Sequence, residues 1–410
     1  MSYGKESGEM TNKPDRALGG VRVLDLTEDR GLYAGKLLAD LGAEVIKVEN
    51  PDGSEARRIG PFKEDVPGLE RSLYFINFNT NKKSITLNLR SPAGRDIFKR
   101  LVQRSDVLTE DFEPDVMKSM GIDYPVLREL NKRIIVASLT GFGQDGPYRN
   151  YKAPDIVSFA MGGIMYISGE PERAPVMAPC EQSYQATSIM AFFGILAALY
   201  QRLSTGEGQL VDVSAHEAMA ALNEELIMRY SLTFEIEERC GSQHKSSPAR
   251  IYPCKDGHVH LVVLWPHHWM NFLELLGNPE LLMDTAWLDP AFRRINTDLI
   301  DPIITEFTMS YTKKEITELC QAKQIPCTPV NSPADCSDDP HMKERDFIIE
   351  IEHPVIGQHR YLGSPYRLSE TPCQIDRPAP LLGQHNEEIY CGELGFSDKE
   401  LAQFKAEGVI

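Results

Sequence analysis

The sequence predicts an α/β protein built around a doubly wound parallel sheet. Two observations carry that prediction. Short apolar runs, VRVLDL (Val21–Leu26) and AEVIKVE (Ala43–Glu49), flank a stretch of helical spacing, Leu32–Leu41, with Leu37, Leu38 and Leu41 on one side. This is a βαβ unit, so its two strands run parallel. The alternation of strand and helix then continues to Leu139, which calls for one sheet covered by helices.

The elements follow in order. The turn after the first strand reads Thr27-Glu28-Asp29-Arg30-Gly31 and lacks G-x-G-x-x-G. Glu28 and Asp29 would repel a pyrophosphate where that fingerprint presents bare backbone, so no dinucleotide is expected. Asn50–Ser72 is rich in Gly, Pro and charge and reads as a surface or partner-facing loop. Asn79–Arg90 reads as a turn into a strand. Ser91-Pro92 then opens a helix to about Arg104, with Pro92 at its first position. Ser105–Phe112 is a strand with its exit loop. Arg133–Leu139 is another, leaving through the Gly-rich GFGQDGPYRN. Ligands in such sheets lie beyond the strand C-ends, so the loops after Val48, Leu89, Val107 and Leu139 should line one cleft. Met177–Leu199 passes from a Pro-containing loop into a long apolar helix that begins near Ser183.

A chain of 410 residues is long enough for two domains and a sizeable core. A net charge of −17 argues against nucleic acid or an anionic membrane as partner, and an anionic ligand must be held by local donors. Arg30, Arg57 and Arg58 are candidates for that, and are equally explained as solvated loop bases. The eight cysteines include no C-x-x-C pair and fit reduced thiols in a cytoplasmic protein. Residues 1–17 are expected to form a disordered tail. Ile189–Leu203 comes nearest to a membrane span of roughly 18 residues, but Gln201 and Arg202 interrupt it. His258 and His260 face one side of a strand, with His267 and His268 following. No carboxylate is spaced with them, so no metal is expected.

Nine segments resemble, in order, the class III CoA-transferases, which include carnitine and bile-acid CoA-transferases and the α-methylacyl-CoA racemases. They are LGGVRVLDLT, LADLGAEVIKVE, FNTNKKSITLNLRSPAGRDIFKRLV, SDVLTEDFEP, ASLTGFGQDGPY, the helix with GILAAL, GEGQLVDVSAHEA, IPCTPVNSPADCSDDPHMKERDF and LLGQHNEEI. The resemblance runs from Leu18 to Ile389. It implies a large α/β domain made by both ends of the chain, a smaller inserted α/β domain, and an interlocked dimer. The large domain would comprise 18–220 and 330–410, with linker and small domain at 221–329.

The resembled family has an aspartate ten residues before the Gly of GILAAL. Counting back from Gly194 gives Tyr184. In the family's chemistry that carboxylate attacks an acyl-CoA thioester to form a mixed anhydride, and CoA returns to give an aspartyl-CoA thioester. A phenol of pKa about 10 is neutral at pH 7 and does not substitute. The expected state of Tyr184 is a packed ring with its hydroxyl bonded. Further departures fall together: Asn88-Leu89-Arg90 for D-L-K, Thr109-Glu110-Asp111-Phe112 for V-E-N-F, and Met117–Gly121 for L-x-R-L-G, with Ser119 at the Arg and Lys118 beside it. Thr140 lies near a Lys of formyl-transferring members. Ala153-Pro154-Asp155 stands for the racemases' G-H-D, where Pro154 carries no proton. The resemblance leaves Arg90, Asp111, Phe112 and Lys118 as CoA-binding candidates. It implies a CoA thioester as substrate and no resident cofactor.

Glu181 is the one substitute nucleophile in reach, and is otherwise a cap for the following helix; Asp155 reads as an N-terminal charge on its own helix. Three readings follow. In the first, the chain is the structural subunit of a heteromer whose homologous partner carries the Asp. The α2β2 members acting on succinyl-CoA and benzylsuccinate resemble the pattern best. In the second, it is a homodimeric transferase using Glu181. In the third, it is a non-enzymatic scaffold or regulator.

Overall fold

The computed structural model describes residues 16–242 and 248–410. Most of the expected tail lies outside the described residues. Arg16 itself is anchored by an ion pair to Asp376, so at 16 the expectation of disorder is replaced by an ordered start. The chain divides into two units. One takes the described part of Met1–Gly162 with Ala178–Leu222 and Lys343–Ile410; the other takes Gly163–Met177 and Asn223–Met342.

In the first unit the strands are β1 (Arg22–Asp25), β2 (Glu44–Glu49), β3 (Lys83–Thr86), β4 (Val107–Glu110), β5 (Ile135–Thr140) and β6 (Leu210–Ser214). They pair in the order β3-β2-β1-β4-β5-β6, all parallel. Leu24 stands beside Ile46 on one side and Leu108 on the other. Alternate strand residues point to opposite faces, and both faces are covered, which is why these strands are apolar almost throughout. Val23, Val45, Val107, Ile135 and Ala137 pack beneath α1 (Leu32–Asp40) and α8 (Gln182–Thr205). Leu24, Ile46, Ile85, Leu108 and Val136 pack beneath α3 (Pro92–Val102) and α5 (Tyr124–Leu130). Ser91 caps α3 through the Gly94 N–H, with Pro92 at the first position as expected. Shorter helices are α2 (Leu73–Phe78), α4 (Val116–Ser119), α6 (Asp155–Met161) and α9 (Ala215–Ala221). The unit also holds a hairpin of β10 (Ile348–His353) and β11 (Gly357–Leu362) and a C-terminal helix, Asp398–Ala406.

Helix α8 is longer than the run marked in the sequence. By length and composition alone it could cross a membrane. Here Ala191, Phe192, Ile195 and Ala198 bury one side against the sheet.

The second unit holds α7 (Ile164–Ile167), α10 (Glu224–Thr233), β7 (Ala249–Cys254), β8 (Gly257–Val262), α11 (Pro266–Leu275), α12 (Pro290–Ile295), α13 (Thr297–Thr308), α14 (Lys313–Ala322) and β9 (Cys327–Pro329). Its antiparallel sheet β7-β8-β9 packs on a core that includes Trp269, Phe272, Ile304 and Ile316. His258 and His260 lie on the more open side of β8, because Val259 and Leu261 take the buried positions.

The boundaries differ from expectation at two places. Residues 163–177, expected in the large domain, join the second unit, because Gly241 donates to Gly169 and Arg239 to the Tyr166 carbonyl. Residues 330–342 do the same: Val330 donates to His258 at 2.9 Å, and Lys313 pairs with Asp335 at 2.7 Å.

The loop 50–72 lies at the surface over much of its length, as expected, with residues 64–67 exposed, but Arg57 within it does not. Arg57 is 1% exposed; it pairs with Glu49 at 2.6 Å and Glu70 at 2.7 Å. Arg58 donates to the Asp52, Gly53 and Ser54 carbonyls. Arg57 is closed to an anion, whereas Arg58 stays partly exposed.

Beneath the sheet's C-terminal rim, Asp25, Lys47 and Lys82 are buried together, with Lys82 Nζ 2.8 Å from Asp25. Burial alone would raise the Asp25 carboxyl, but Lys82 and Lys47 hold it below its ordinary range. Lys82→Met removes the hydrogen-bonded partner of Asp25 and leaves it Lys47, 3.9 Å away. The variant is therefore expected to lower unfolding stability by about 1–3 kcal/mol, read from the denaturant midpoint.

Candidate active site

Helix α8 starts abruptly. Cys180 and Glu181 both adopt left-handed backbone, with φ of 66° and 50°, and the helix begins at Gln182. Such conformations in non-glycine residues persist only where surrounding contacts enforce them. Here the enforcing group is Asp155. One carboxylate oxygen accepts the Ser183 N–H at 2.8 Å, the Tyr184 N–H at 3.3 Å and the Ser183 hydroxyl. The sequence assigned Asp155 to the first turn of its own helix. It does sit there, but its side chain crosses to cap α8.

Glu181 consequently has no capping role. Its side chain makes no cap bond and faces the Tyr74 hydroxyl, which is also 3.2 Å from the Asp29 carbonyl. One Glu181 oxygen is buried without a hydrogen-bond partner, and burial raises its carboxyl above the ordinary range.

Tyr184, expected at the position of the family's nucleophile, is 7% exposed. Its hydroxyl donates to the Ala153 carbonyl at 3.3 Å. Burial pushes the phenol up to about 12. The Arg30 guanidinium lies over the ring, 5.4 Å from its centroid. Arg30 is itself buried and donates to the Leu139 and Ala153 carbonyls, so it is neither a solvated base nor open to an anion. The space left between Asp29, Tyr33, Tyr74, Glu181, Tyr184 and Ser188 is about 10 Å³, scarcely one water.

The exit of β4 is organised differently. Glu110, 4% exposed, accepts the Phe112 N–H at 2.9 Å and faces Ser138, whose hydroxyl in turn accepts from Gln144 at 2.6 Å. Burial pushes Glu110 up to about 7. It borders a cavity of about 180 Å³ with Lys118, Asp123, Tyr124, Ser138 and Gln144. Asp111 points elsewhere. The residue keeps some exposure, but its carboxylate turns inward and receives the Glu28 N–H at 2.8 and 2.9 Å. Burial pushes it up to about 8, against the opposing pull of Arg30.

Of the four expected CoA-binding residues, the structure brings only Lys118 to the cavity beside Glu110. Asp111 is committed to the β1–α1 loop. Phe112 packs on the sheet core. Arg90 is exposed in the turn before α3, held through its N–H by Asn88. The expected single cleft is divided accordingly, because Asp111 joins the exits of β1 and β4 directly. Glu110, Ser138 and Gln144 were not singled out from the sequence. A carboxylate ending the otherwise buried strand VLTE was the available signal.

The raised Asp111 pKa has a signed consequence. The folded chain keeps this proton up to about pH 8, whereas the unfolded chain loses it near the ordinary 3.8. Between those values the folded state binds more protons, so this group's contribution to stability falls as pH rises from about 4 to about 8. Asp111→Asn keeps an oxygen for the Glu28 N–H and removes the titration. The variant is expected to melt higher than the parent at about pH 9, by up to a few kcal/mol of stability, and to match it near pH 4. Melting curves across that range check both ends.

Comparison with known proteins agrees with this architecture. A sequence model described as CoA-transferase family III matches residues 18–386. A formyl-CoA:oxalate CoA-transferase of Streptomyces coelicolor is 37% identical, covering 96% of this chain and 99% of that protein. The BbsE subunit of succinyl-CoA:(R)-benzylsuccinate CoA-transferase from Thauera aromatica is 32% identical, covering 94% and 97%. The crystal structure of a CaiB/BaiF family protein from Brucella suis superposes with a TM-score of 0.84 at 31% identity, covering 92% of this chain and 99% of that one. The chain belongs to the class III CoA-transferases, the family of enzymes that act on CoA thioesters.

Proposed function

We propose that this chain is the structural subunit of a heteromeric class III CoA-transferase, in which a homologous subunit supplies the nucleophilic aspartate. The reaction moves CoA from an acyl-CoA, with succinyl-CoA as donor, to a carboxylic acid of the benzylsuccinate type, in the cytoplasm. The observation that carries the reading is Tyr184. A nucleophile for this chemistry must be an ionised carboxylate with room for a thioester carbonyl beside it. Tyr184 is a neutral, hydrogen-bonded phenol in about 10 Å³ of free space.

The positions that depart from the family's charged residues are internally engaged. Asn88 bonds the Arg90 N–H and the Gly408 carbonyl; Ser119 bonds Val116; Thr140 accepts from Gly143. The outer face of α8 leaves Phe193, Tyr200 and Leu203 at 58%, 79% and 82% exposure, an apolar stripe suited to an interlocked partner chain. BbsE, by its name, is a subunit of a larger enzyme. The reading that uses Glu181 is disfavoured by its raised carboxyl and by the same lack of space.

The chain alone is expected to transfer no CoA between succinyl-CoA and an acceptor acid, and co-expression with an Asp-bearing homologue to restore transfer. Turnover by the lone chain, abolished in Glu181→Gln, would establish the homodimeric alternative. Turnover indifferent to that change would refute both.

Tyr184→Asp places a carboxylate on the same backbone but empties a packed site and buries an acid near Asp155 and Asp29. Desolvation and like charge keep that acid protonated. The variant is expected to lose about 3–5 kcal/mol of stability. Incubation with succinyl-CoA and hydroxylamine should leave its intact mass unchanged. A hydroxamate trapped at residue 184 would show the catalytic apparatus to be complete.

A further inference from the structure

The tip of the β10–β11 hairpin is held by a side chain that can titrate. The turn reads His353-Pro354-Val355-Ile356-Gly357, and His353 and Gly357 face each other across its base. Pro354 has no N–H to place, and Gly357 supplies left-handed backbone with φ of 76°. The two N–H groups between them lie outside the ladder and converge on one atom. His353 Nδ1 accepts the Val355 N–H at 3.2 Å and the Ile356 N–H at 3.4 Å. Only an unprotonated Nδ1 has the lone pair for this, so the ring here is neutral and carries its proton on Nε2. His353 is 1% exposed. Burial holds its imidazole below the ordinary range. Arg57, in the loop after β2, and His359, on β11, act in the same direction, and the Ala379 backbone opposes them. Arg57 is in turn paired with Glu49 and Glu70.

We propose that His353 is a proton-operated latch, which holds the β10–β11 turn closed while neutral and releases it on taking up a proton. Protonation puts a hydrogen on Nδ1, so both amides lose their acceptor at once, and it sets a second cation in the buried space beside Arg57. What the turn holds down is Ile356, 4% exposed, which packs with Tyr361 in one cluster with Leu32, Phe75 and Phe78. Tyr33 and Tyr74 pack against the same cluster and also border the space beside Tyr184. Release of the turn therefore loosens a wall of the candidate site, and acid is the signal. Linkage sets the size of the response. In the open hairpin the ring meets water and regains its ordinary 6.5, whereas the closed hairpin excludes the proton. The open fraction accordingly rises as pH falls, by about tenfold between about pH 7.5 and pH 5.5.

The test is hydrogen exchange of the full chain, read by mass spectrometry on peptides spanning 348–362 and corrected for the intrinsic pH dependence of exchange. Protection of the hairpin is expected to fall about tenfold from about pH 7.5 to pH 5.5, while peptides of β1 and β4 keep theirs. Exchange at the His353 ring carbon, followed in the same samples, is expected to give a titration midpoint below the ordinary 6.5. His353→Asn keeps a side-chain oxygen for the two N–H groups and does not titrate, so its hairpin should stay protected at both pH values. The proposal is overturned if the parent hairpin is equally protected at both, if the His353 midpoint is ordinary, or if the acid loss persists in His353→Asn. The first two readings are made on the unsubstituted chain, so they decide the matter even if the variant fails to fold.

Discussion

The Asp155 carboxylate is the contact on which the candidate site depends. A helix N-terminus presents unsatisfied N–H groups and the positive end of the helix dipole, so a buried one requires an acceptor. In α8 the residue at the capping position, Glu181, is left-handed and makes no cap bond. Asp155 supplies the acceptor from another helix, taking both the Ser183 and Tyr184 N–H groups. That fixes where α8 starts and therefore where Tyr184 stands. It also means that the dipole of the helix bearing Tyr184 already faces a carboxylate of this chain. An anionic substrate group would have to compete with a covalently tethered acid.

The rim of the sheet repeats the pattern of internal satisfaction. Glu28, Asp29, Glu110 and Asp111 gather there, with Arg30 and Lys47 as cations among them. Asp111 spends its oxygens on the Glu28 N–H, and Arg30 spends its donors on backbone carbonyls while its face covers Tyr184. In an open α/β sheet the crevice beyond β1 and β4, where the strand order reverses, is the usual ligand position. Here that crevice is bridged by the chain's own polar groups. The open space lies one strand further on, beside Glu110, and several carboxylates border it. The fold is that of a class III CoA-transferase, and the space beside Tyr184 is filled.

Much of this was readable in the residues because its causes are local. The period of Val21–Glu49 names two strands and a helix. Ser91-Pro92 names a helix start. Each rests on spacing within a turn or two of chain, which sequence displays directly. The apolar runs also determined that both sheet faces are buried, since no alternation interrupts them.

Only the tertiary structure decided which polar groups meet. Asp155 and Ser183 are 28 residues apart, and Glu28 and Asp111 are 83 apart. Nothing in either neighbourhood distinguishes a capping carboxylate from a solvated one. Arg57 reads as a loop base until Glu49 and Glu70 are placed around it. The hydrogen bonds of 163–177 to residues near 240 moved that segment into the other unit. A side chain's charge and shape are written at its own position. Its burial, its partner and hence its protonation depend on what the fold brings against it, and those neighbours are fixed by long-range packing.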